Sequence, residues 1–238
     1  MIKLTKKEIE GLQVVGPRVL IKPNRKIDEI YINNGDKLYF DPTFNPEQHA
    51  PVTGEVIKVC THARAQEILG FTPTIEAKIG DNAIFGYIAA SMSLDPRVER
   101  NIIDENGQIY FWINYHDLIA IIRGEERFPV NHWHIVEPVQ INHNTIIELP
   151  DHLKRKESLK LAKVLMAPKY RVEYATDRIS HGEIANPGTY ILVDKHGIQN
   201  FEHEIHRSFM GRSKPLSIVA QRDIMAIIPE TLINKINE

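Results

Sequence analysis

Short apolar runs alternate with turn-forming residues through most of the chain, and this pattern predicts β-strands. The runs are rich in Val, Ile, Phe and Tyr, which favour strands, and turn-forming residues separate them. Five such runs lie in the first half of the chain: residues 18–22, 55–59, 82–88, 108–113 and 118–122. Many short strands at this spacing are typical of a barrel or a sandwich. We therefore predict an all-β fold.

Two Asn-Gly pairs predict tight hairpins. Asn34-Gly35 separates two apolar runs, and Asn106-Gly107 separates two others. Both residue types accept the positive φ angles that a two-residue hairpin turn requires. We expect antiparallel strands on either side of each pair.

Helical signals are confined to three short stretches. Thr5 followed three residues later by Glu8 is a capping box, which predicts a helix from residue 6 to about residue 12. The Leu spacing predicts a second helix over residues 151–162, with its basic residues on a solvated face. A third is predicted over residues 230–236. The predicted fold is thus all-β with a short N-terminal helix.

The second half of the sequence repeats landmarks of the first half in one register. Pro42 lies over Pro150 and Gly80 over Gly188, both 108 positions apart (150 − 42 and 188 − 80). Three further pairs keep nearly the same spacing: 54–57 over 162–165, 117–122 over 223–228, and 18–23 over 133–138. A period of this length is one small domain rather than a solenoid repeat. We predict an N-terminal segment over 1–13, one domain over 14–125 and a second, more divergent copy over 130–238, with the boundary near residues 124–130.

The order of these elements resembles the chaperonin-10 (GroES-like) co-chaperonin family. The first copy has an opening strand at 17–23, a long loop, the segments 54–59 and 79–85, and a closing strand at 115–122. The resemblance covers residues 14–123 well and 132–229 more weakly. It implies two tandem, partly open β-barrels that assemble into a ring, with opening and closing strands pairing with neighbouring subunits. The ring would cap a GroEL-like, ATP-dependent chaperonin and would itself catalyse nothing.

The resemblance also implies that the flexible loop of each copy presents apolar residues to the chaperonin. By their position before the aligned prolines, the candidate residues are Leu38, Tyr39, Phe40, Ile146, Ile147 and Leu149. Both segments depart from the family pattern of a Gly-Gly pair followed by three aliphatic residues. Aromatic residues replace aliphatic ones in the first loop, where Asn34-Gly35 also favours a hairpin, and Glu148 interrupts the second.

Composition narrows the classes of partner. Lys plus Arg total 29 against 31 for Asp plus Glu, so a net charge of −2 gives no long-range attraction for nucleic acid or an anionic membrane. The basic run at 152–156 lacks the interleaved aromatic residues that bind single-stranded nucleic acid. No signal-like run or stretch of 18 uncharged apolar residues occurs. We expect a cytoplasmic protein without a nucleic-acid or membrane partner.

Motifs of enzymes and metal sites are missing from the sequence. Dehydrogenases that carry a GroES-like domain add a nucleotide-binding βαβ domain, and no glycine of this chain falls in a GxGxxG pattern. Cys60 stands alone, so no intramolecular disulfide can form, and we predict a small buried side chain rather than a thiolate activated by His62. Two histidine clusters match no zinc motif and are predicted to be surface residues: His132 with His134, and His196, His203 and His206 with Glu202 or Glu204. We predict no catalytic site, no metal and no cofactor.

Three function classes are compatible with these sequence features. The first is a tandem co-chaperonin that forms a ring and caps a chaperonin. The second is a structural or assembly protein, for example of a virus, that keeps the duplicated barrel without binding a chaperonin. The third, a metal-dependent or dehydrogenase-like enzyme, is disfavoured by the missing motifs.

Overall fold

A computed structural model describes residues 2–24, 29–31, 37–39, 51–61, 74–86, 88–90, 101–139, 159–170, 184–194, 197–200, 216–229 and 233. Within these residues the chain is mostly β-structure, which confirms the predicted all-β class. The chain divides into two compact units, unit 1 over residues 1–131 and unit 2 over residues 132–238.

Unit 1 contains an eight-stranded sheet and a separate two-stranded sheet. The strands of the unit in chain order are β1 (Ile2–Lys3), β2 (Arg18–Pro23), β3 (Glu29–Tyr31), β4 (Lys37–Tyr39), β5 (Thr53–Val59), β6 (Asn82–Phe85), β7 (Ile102–Ile103), β8 (Ile109–Asn114), β9 (Leu118–Arg123) and β10 (Glu126–Pro129). The sheet order is β1-β7-β8-β2-β5-β6-β9-β10, and β3 pairs with β4 separately. The strands predicted in this half are present, but β6 ends at Phe85 rather than at residue 88.

Both predicted hairpins have paired strands. Strands β7 and β8 are antiparallel around Gly107, whose φ of 78° is the positive value expected there. The Asp104 carboxylate accepts hydrogen bonds from the N–H groups of Asn106 (2.8 Å) and Gln108 (2.9 Å), which fixes this turn. Strands β3 and β4 are also antiparallel, while the intervening Asn34-Gly35 pair lies outside the described residues.

The N-terminal helix α1 (Lys6–Gly11) has the predicted capping box. The Glu8 N–H donates to the Thr5 hydroxyl at 3.3 Å, and the Thr5 N–H donates to the Glu8 carboxylate at 2.7 Å. Ile9 is 2% exposed and packs on the outer side of the sheet in a cluster with Leu20, Ile102 and Tyr110. The helix therefore covers an apolar sheet face, which stabilises so short a helix more than its own propensity can.

Strand β10 lies in the segment where sequence alone indicated only a polar boundary. It pairs antiparallel with β9 along its whole length, from Glu126 opposite Arg123 to Pro129 opposite Ala120. The tight turn that joins the two strands contains Gly124, whose φ is 61°. Pro129 is tolerated because β10 is the outermost strand of the sheet order, where a missing N–H breaks no further ladder.

Unit 2 is built on a six-stranded antiparallel sheet. Its strands are β11 (Trp133–Val139), β12 (Leu159–Met166), β13 (Tyr190–Asp194), β14 (Ile198–Asn200), β15 (Ser217–Ala220) and β16 (Ile224–Ile228). The sheet order is β14-β15-β11-β12-β13-β16.

The helix predicted over residues 151–162 is wrong in its described part, because Leu159 to Met166 form strand β12. This strand is hydrogen-bonded on both edges, to β11 and to β13. Pairing on two edges outweighs the weak helical preference of a short Leu- and Lys-rich segment. Residues 151–158 lie outside the described residues, as does the third predicted helix apart from Ile233, which is helical and buried.

Five strands of each unit share their order and register. The order is β8-β2-β5-β6-β9 in unit 1 and β15-β11-β12-β13-β16 in unit 2. Pro23 lies opposite Gly54, and Pro138 lies opposite Ala162 at the matching positions. The register shifts fall at matching steps as well: Leu20/Ile21 in β2, Ile84/Phe85 in β6, Ile135/Val136 in β11 and Leu192/Val193 in β13.

The turns around these strands match too. Gly80 and Gly188 have φ angles of 88° and 90°, so each occupies the left-handed region that favours glycine. The N–H of Gly80 donates to Val56 at 2.8 Å, and the N–H of Gly188 donates to Val164 at the same distance. A single 3-10 turn precedes the last of the five strands in both units, at Tyr115–Asp117 and at Gln221–Asp223.

Candidate interaction surfaces

The first candidate loop is partly a hairpin. Leu38 and Tyr39 lie in β4, opposite Ile30 and Glu29 of β3. Their backbone is thus paired in a ladder, as the Asn34-Gly35 pair suggested. Phe40, the third candidate of this loop, lies outside the described residues.

The base of this first loop is held by a polar clamp at Asn24, the residue that follows β2. Its N–H donates to the Thr53 carbonyl at 3.1 Å. Its side-chain amide donates to the side-chain oxygen (Oδ1) of Asn82 at 2.9 Å and to the Thr53 hydroxyl at 3.3 Å. The two ends of the loop are therefore tied to each other and to β6. Asn24 carried no sequence motif, and only its position after the opening strand could have drawn attention to it.

Unit 2 has no such clamp at the matching positions. The residues there are Val139, Leu161 and Tyr190. Val139 and Leu161 lie opposite each other in β11 and β12. Valine and leucine side chains cannot donate or accept a hydrogen bond. The second candidate segment, with Ile146, Ile147 and Leu149, lies outside the described residues.

The closing strands β9 and β16 differ in what covers them. Strand β9 has a partner on both edges, β6 and β10, and its residues Ile119 and Ile121 are 5% and 0% exposed. Strand β16 pairs with β13 and ends the sheet order of the described residues. Its residues Met225 and Ile227 are 61% and 39% exposed. The two closing strands share a sequence pattern, but β9 is covered on both edges whereas Met225 and Ile227 of β16 are exposed.

The opening strands are paired on both edges within their own units. Strand β2 lies between β8 and β5, and β11 lies between β15 and β12. On the β8 side the pairing covers Arg18 to Ile21 of β2, and on the β15 side it covers Trp133 to Val136 of β11. Pairing of these stretches with a neighbouring subunit would displace an existing partner.

The buried histidines contradict the prediction of surface residues. His132 and His134 are 4% and 0% exposed. Neither ring nitrogen of His134 has a hydrogen-bond partner within the described chain, and burial lowers the pKa of this side chain to about 4. The ring of His132 lies 4.6 Å from that of Trp133, measured between centroids. Strand alternation placed both histidines on one face, but sequence did not reveal that this face is the core.

Among the described residues, no group of three or more His, Cys, Asp or Glu side chains could hold a metal ion. The second histidine cluster, at His196, His203 and His206, lies outside those residues. Cys60 is 2% exposed in the core of unit 1, and burial raises the pKa of its thiol. The prediction of a small buried side chain at Cys60 is confirmed.

The helices in the described part of the chain are all too short or too polar to cross a membrane. No known family model matches this chain, and no curated protein matches it.

Proposed function

We propose that the chain is a tandem co-chaperonin-type protein. It consists of two GroES-like, partly open barrels, forms a ring in the cytoplasm and caps an ATP-dependent chaperonin without catalysing a reaction or holding a cofactor. The observation that carries the proposal is the common order and register of five strands in both units. The order of elements along the chain, which resembles that of the family, supports it as well.

A charge exchange between two cross-strand positions supports descent of the units from one duplicated barrel. In unit 1, Lys22 of β2 lies opposite Glu55 of β5, and their charged groups are 3.7 Å apart. At the matching positions of unit 2, Glu137 lies opposite Lys163. Opposite charges facing each other are favourable in either order, whereas like charges are not. The sign pattern has been inverted while the pairing has been kept.

Apolar loops suit the proposed action because weak contacts can add up in a ring. A loop that becomes ordered on binding loses conformational entropy, so each single contact has modest affinity. Several loops on one ring then bind with an effective concentration set by their spacing. ATP-driven changes in the chaperonin can release such a cap without breaking any single strong interaction.

A pull-down with a GroEL-like chaperonin, with and without ATP, tests this proposal. We expect a nucleotide-dependent complex that Ile147→Asp and Phe40→Asp weaken. Ile79→Asp is the matched control, because Ile79 is an equally apolar residue that is 65% exposed at a turn outside both loops. If no nucleotide-dependent complex forms with the unmodified chain, the co-chaperonin proposal fails.

One observation favours the second function, an assembly protein that does not bind a chaperonin. The backbone of Leu38 and Tyr39 is already paired in the β3–β4 hairpin, and the clamp at Asn24 fixes the base of that loop. A pre-paired segment cannot use the disorder-to-order step described above. For this second function the chain would still assemble, and the pull-down would show no effect of ATP.

A further inference from the structure

The hairpin between β7 and β8 presents an asparagine followed by a glycine at its tip. Asn106 and Gly107 are both exposed. Apart from the chain neighbours, no heavy atom lies within 4 Å of the place where a Cβ atom of Gly107 would stand. Asparagine is one of the thermolabile residue types, and a following residue without a side chain leaves its backbone nitrogen unshielded. The sequence and the exposure of this pair therefore fit a site of intramolecular deamidation.

Deamidation at this pair needs only the chain and water. A base removes the proton of the Gly107 N–H, and the nitrogen attacks Cγ of the Asn106 side chain. The new N–Cγ bond closes a succinimide ring, while the Cγ–Nδ2 bond breaks and ammonia leaves with the proton. Water then opens the ring at either of its two carbonyls, which leaves aspartate or isoaspartate at position 106. Water is consumed and ammonia is released, so the reaction requires no oxidant and no reductant.

The folded hairpin binds both backbone groups that flank the reacting side chain. The Gly107 N–H donates to the Asp104 carbonyl at 3.1 Å, and the Asn106 N–H donates to the Asp104 carboxylate at 2.8 Å. The proton that must be removed is thus held in a hydrogen bond. The backbone on either side of Asn106 is tied to one residue, Asp104.

The type of turn also keeps the reacting atoms apart. Neither Glu105 nor Asn106 has a positive φ, so the turn that the Gly107 N–H closes is of type I and not of type II or a primed type. The second central residue of a type I turn, here Asn106, has a ψ of about 0°. Closing the ring brings Cβ, Cα and the carbonyl carbon of Asn106 nearly into one plane with the Gly107 nitrogen. At a tetrahedral Cα this planarity requires a very different ψ, so the turn must open before Asn106 reacts.

We propose that Asn106 is a latent deamidation site, which Asp104 keeps unreactive in the folded hairpin and which reacts when the hairpin opens locally. The Asp104 carboxylate is fixed for this role by two further hydrogen bonds, from the Gln108 N–H at 2.9 Å and from the Tyr110 hydroxyl at 3.1 Å. Tyr110 is 6% exposed and belongs to the apolar cluster under helix α1. The protection of Asn106 is therefore anchored in the packing of unit 1. The site is independent of the proposed co-chaperonin function.

Reaction at Asn106 makes an opening of the hairpin permanent. A new carboxylate at position 106 stands beside Asp104 and Glu105, and like charges at this distance repel each other. Isoaspartate also lengthens the backbone within the turn, which displaces the Gly107 N–H from the Asp104 carbonyl. Strand β7 carries β1 on its other edge, so a loosened hairpin weakens the attachment of the N-terminal strand as well.

Peptide mapping of the full chain by mass spectrometry tests the site. The chain is incubated at mildly alkaline pH, either folded in buffer or unfolded in urea, and conversion at each asparagine is located by fragmentation. In urea we expect Asn34 and Asn106 to react at similar rates, because both precede a glycine. In the folded chain Asn106 should react about ten to a hundred times more slowly than in urea, since opening breaks several turn hydrogen bonds of ordinary strength. Equal rates at Asn106 in the folded and unfolded chain would overturn the proposal, as would no conversion in urea.

Two alanine variants test the role of Asp104. Asp104→Ala removes the acceptor of these hydrogen bonds, and we expect deamidation of Asn106 in the folded chain to become about tenfold faster. Glu105→Ala is the matched control, because it removes an exposed carboxylate from the same turn, and it should leave the rate within about twofold. Circular dichroism shows whether each variant is folded. If Asp104→Ala does not fold, Tyr110→Phe removes a single hydrogen bond to the carboxylate and should give a smaller acceleration; unchanged rates in the folded variants would refute protection by Asp104.

Discussion

Acidification is expected to destabilise unit 2 through one buried side chain, His134. This residue lies on β11 with 0% of its surface exposed, at the position that matches Val19 of unit 1. Burial lowers its pKa from 6.5 to about 4, against smaller opposing contributions from the backbone of His132 and Val219. No ring nitrogen of His134 makes a hydrogen bond of normal geometry within the described residues.

The direction of the effect follows from the two protonation states. In the unfolded chain His134 titrates near its ordinary pKa of 6.5, whereas in the folded chain it takes up a proton only near pH 4. Between these values the unfolded state binds more protons, so its free energy falls relative to that of the folded state. The stability of unit 2 is therefore complete above pH 6.5 and decreases as the pH falls towards 4.

The magnitude follows from the size of the pKa difference. Each unit of pKa difference corresponds to about 1.4 kcal/mol, so the full effect is roughly 3 kcal/mol and about 2 kcal/mol of it is lost by pH 5. This is a large fraction of the stability of an ordinary small domain, which is about 5–15 kcal/mol. Unit 2 should consequently unfold at a clearly lower urea concentration at pH 5 than at pH 7.5.

Urea unfolding followed by tryptophan fluorescence measures this effect for each unit. The chain has two tryptophans, Trp112 in unit 1 and Trp133 in unit 2. A Trp112→Phe background leaves Trp133 as the reporter of unit 2, and Trp133→Phe leaves the reporter of unit 1. We expect His134→Val to raise the midpoint of unit 2 at pH 5 and to leave the midpoint of unit 1 unchanged.

Comparing the unmodified chain with His134→Val cancels the contributions of other acid-sensitive groups. For example, burial raises the pKa of Asp223, and this shift alone would stabilise the fold in acid. The Asp223 carboxyl is present in both the unmodified chain and the variant, so its contribution cancels. The urea midpoint is compared rather than the intensity, because the ring of His132 lies close to Trp133. Equal losses of stability between pH 7.5 and pH 5 in the two chains would refute the reasoning.

Two further predictions concern unit 1, and both are read as urea midpoints. The Tyr115 hydroxyl accepts hydrogen bonds from the N–H groups of Glu76 (2.6 Å) and Ala77 (3.1 Å). Tyr115→Phe should therefore lower the free energy of unfolding by about 1–3 kcal/mol. An unchanged midpoint would show that water replaces the hydroxyl. Arg123 binds the Asp81 carboxylate with two nitrogens, at 2.8 and 2.7 Å, and Asp81 is 4% exposed. Arg123 itself is 32% exposed, so Arg123→Met should cost about 1–3 kcal/mol rather than the full cost of breaking a buried pair. Adding Asp81→Thr, the residue type at the matching position of unit 2, should recover part of this loss, and a double variant no better than the single one would contradict the reasoning.

Strand positions could be predicted from the sequence because they depend on local pattern and on backbone pairing. The repeat placed Pro23 over Pro138, and in the structure both prolines lie opposite the small residues Gly54 and Ala162. A Cβ atom at Gly54 would come within 2.6 Å of a backbone oxygen, so the close approach of β2 and β5 favours glycine at this position. Constraints of this kind leave a readable trace in the sequence.

The predictions of a helix over residues 151–162 and of surface histidines were wrong for a different reason. Whether a short segment with alternating Leu and Lys becomes a strand depends on the partners on its two edges, which lie far away in the sequence. Likewise the alternation around His134 defines a face but not whether that face is the core. Tertiary contacts determine both whether the segment is a strand and whether the face is buried, and the local pattern does not reveal these contacts.

At two sites the units differ in both partners of an interaction. Lys22 and Glu55 have exchanged signs in unit 2, and the positions of Asp81 and Arg123 hold Thr189 and Pro229, so that neither charge is left alone. Paired replacement keeps a buried or facing group satisfied, which is why the strand ladders can stay constant while the side chains diverge. His134 is different, because its match in unit 1 is the apolar Val19 and neither of its ring nitrogens makes a hydrogen bond of normal geometry within the described chain. A buried polar group without such a bond costs stability, so an acid sensitivity of unit 2 that follows His134 would show that the two units differ in behaviour at this position and not merely in sequence.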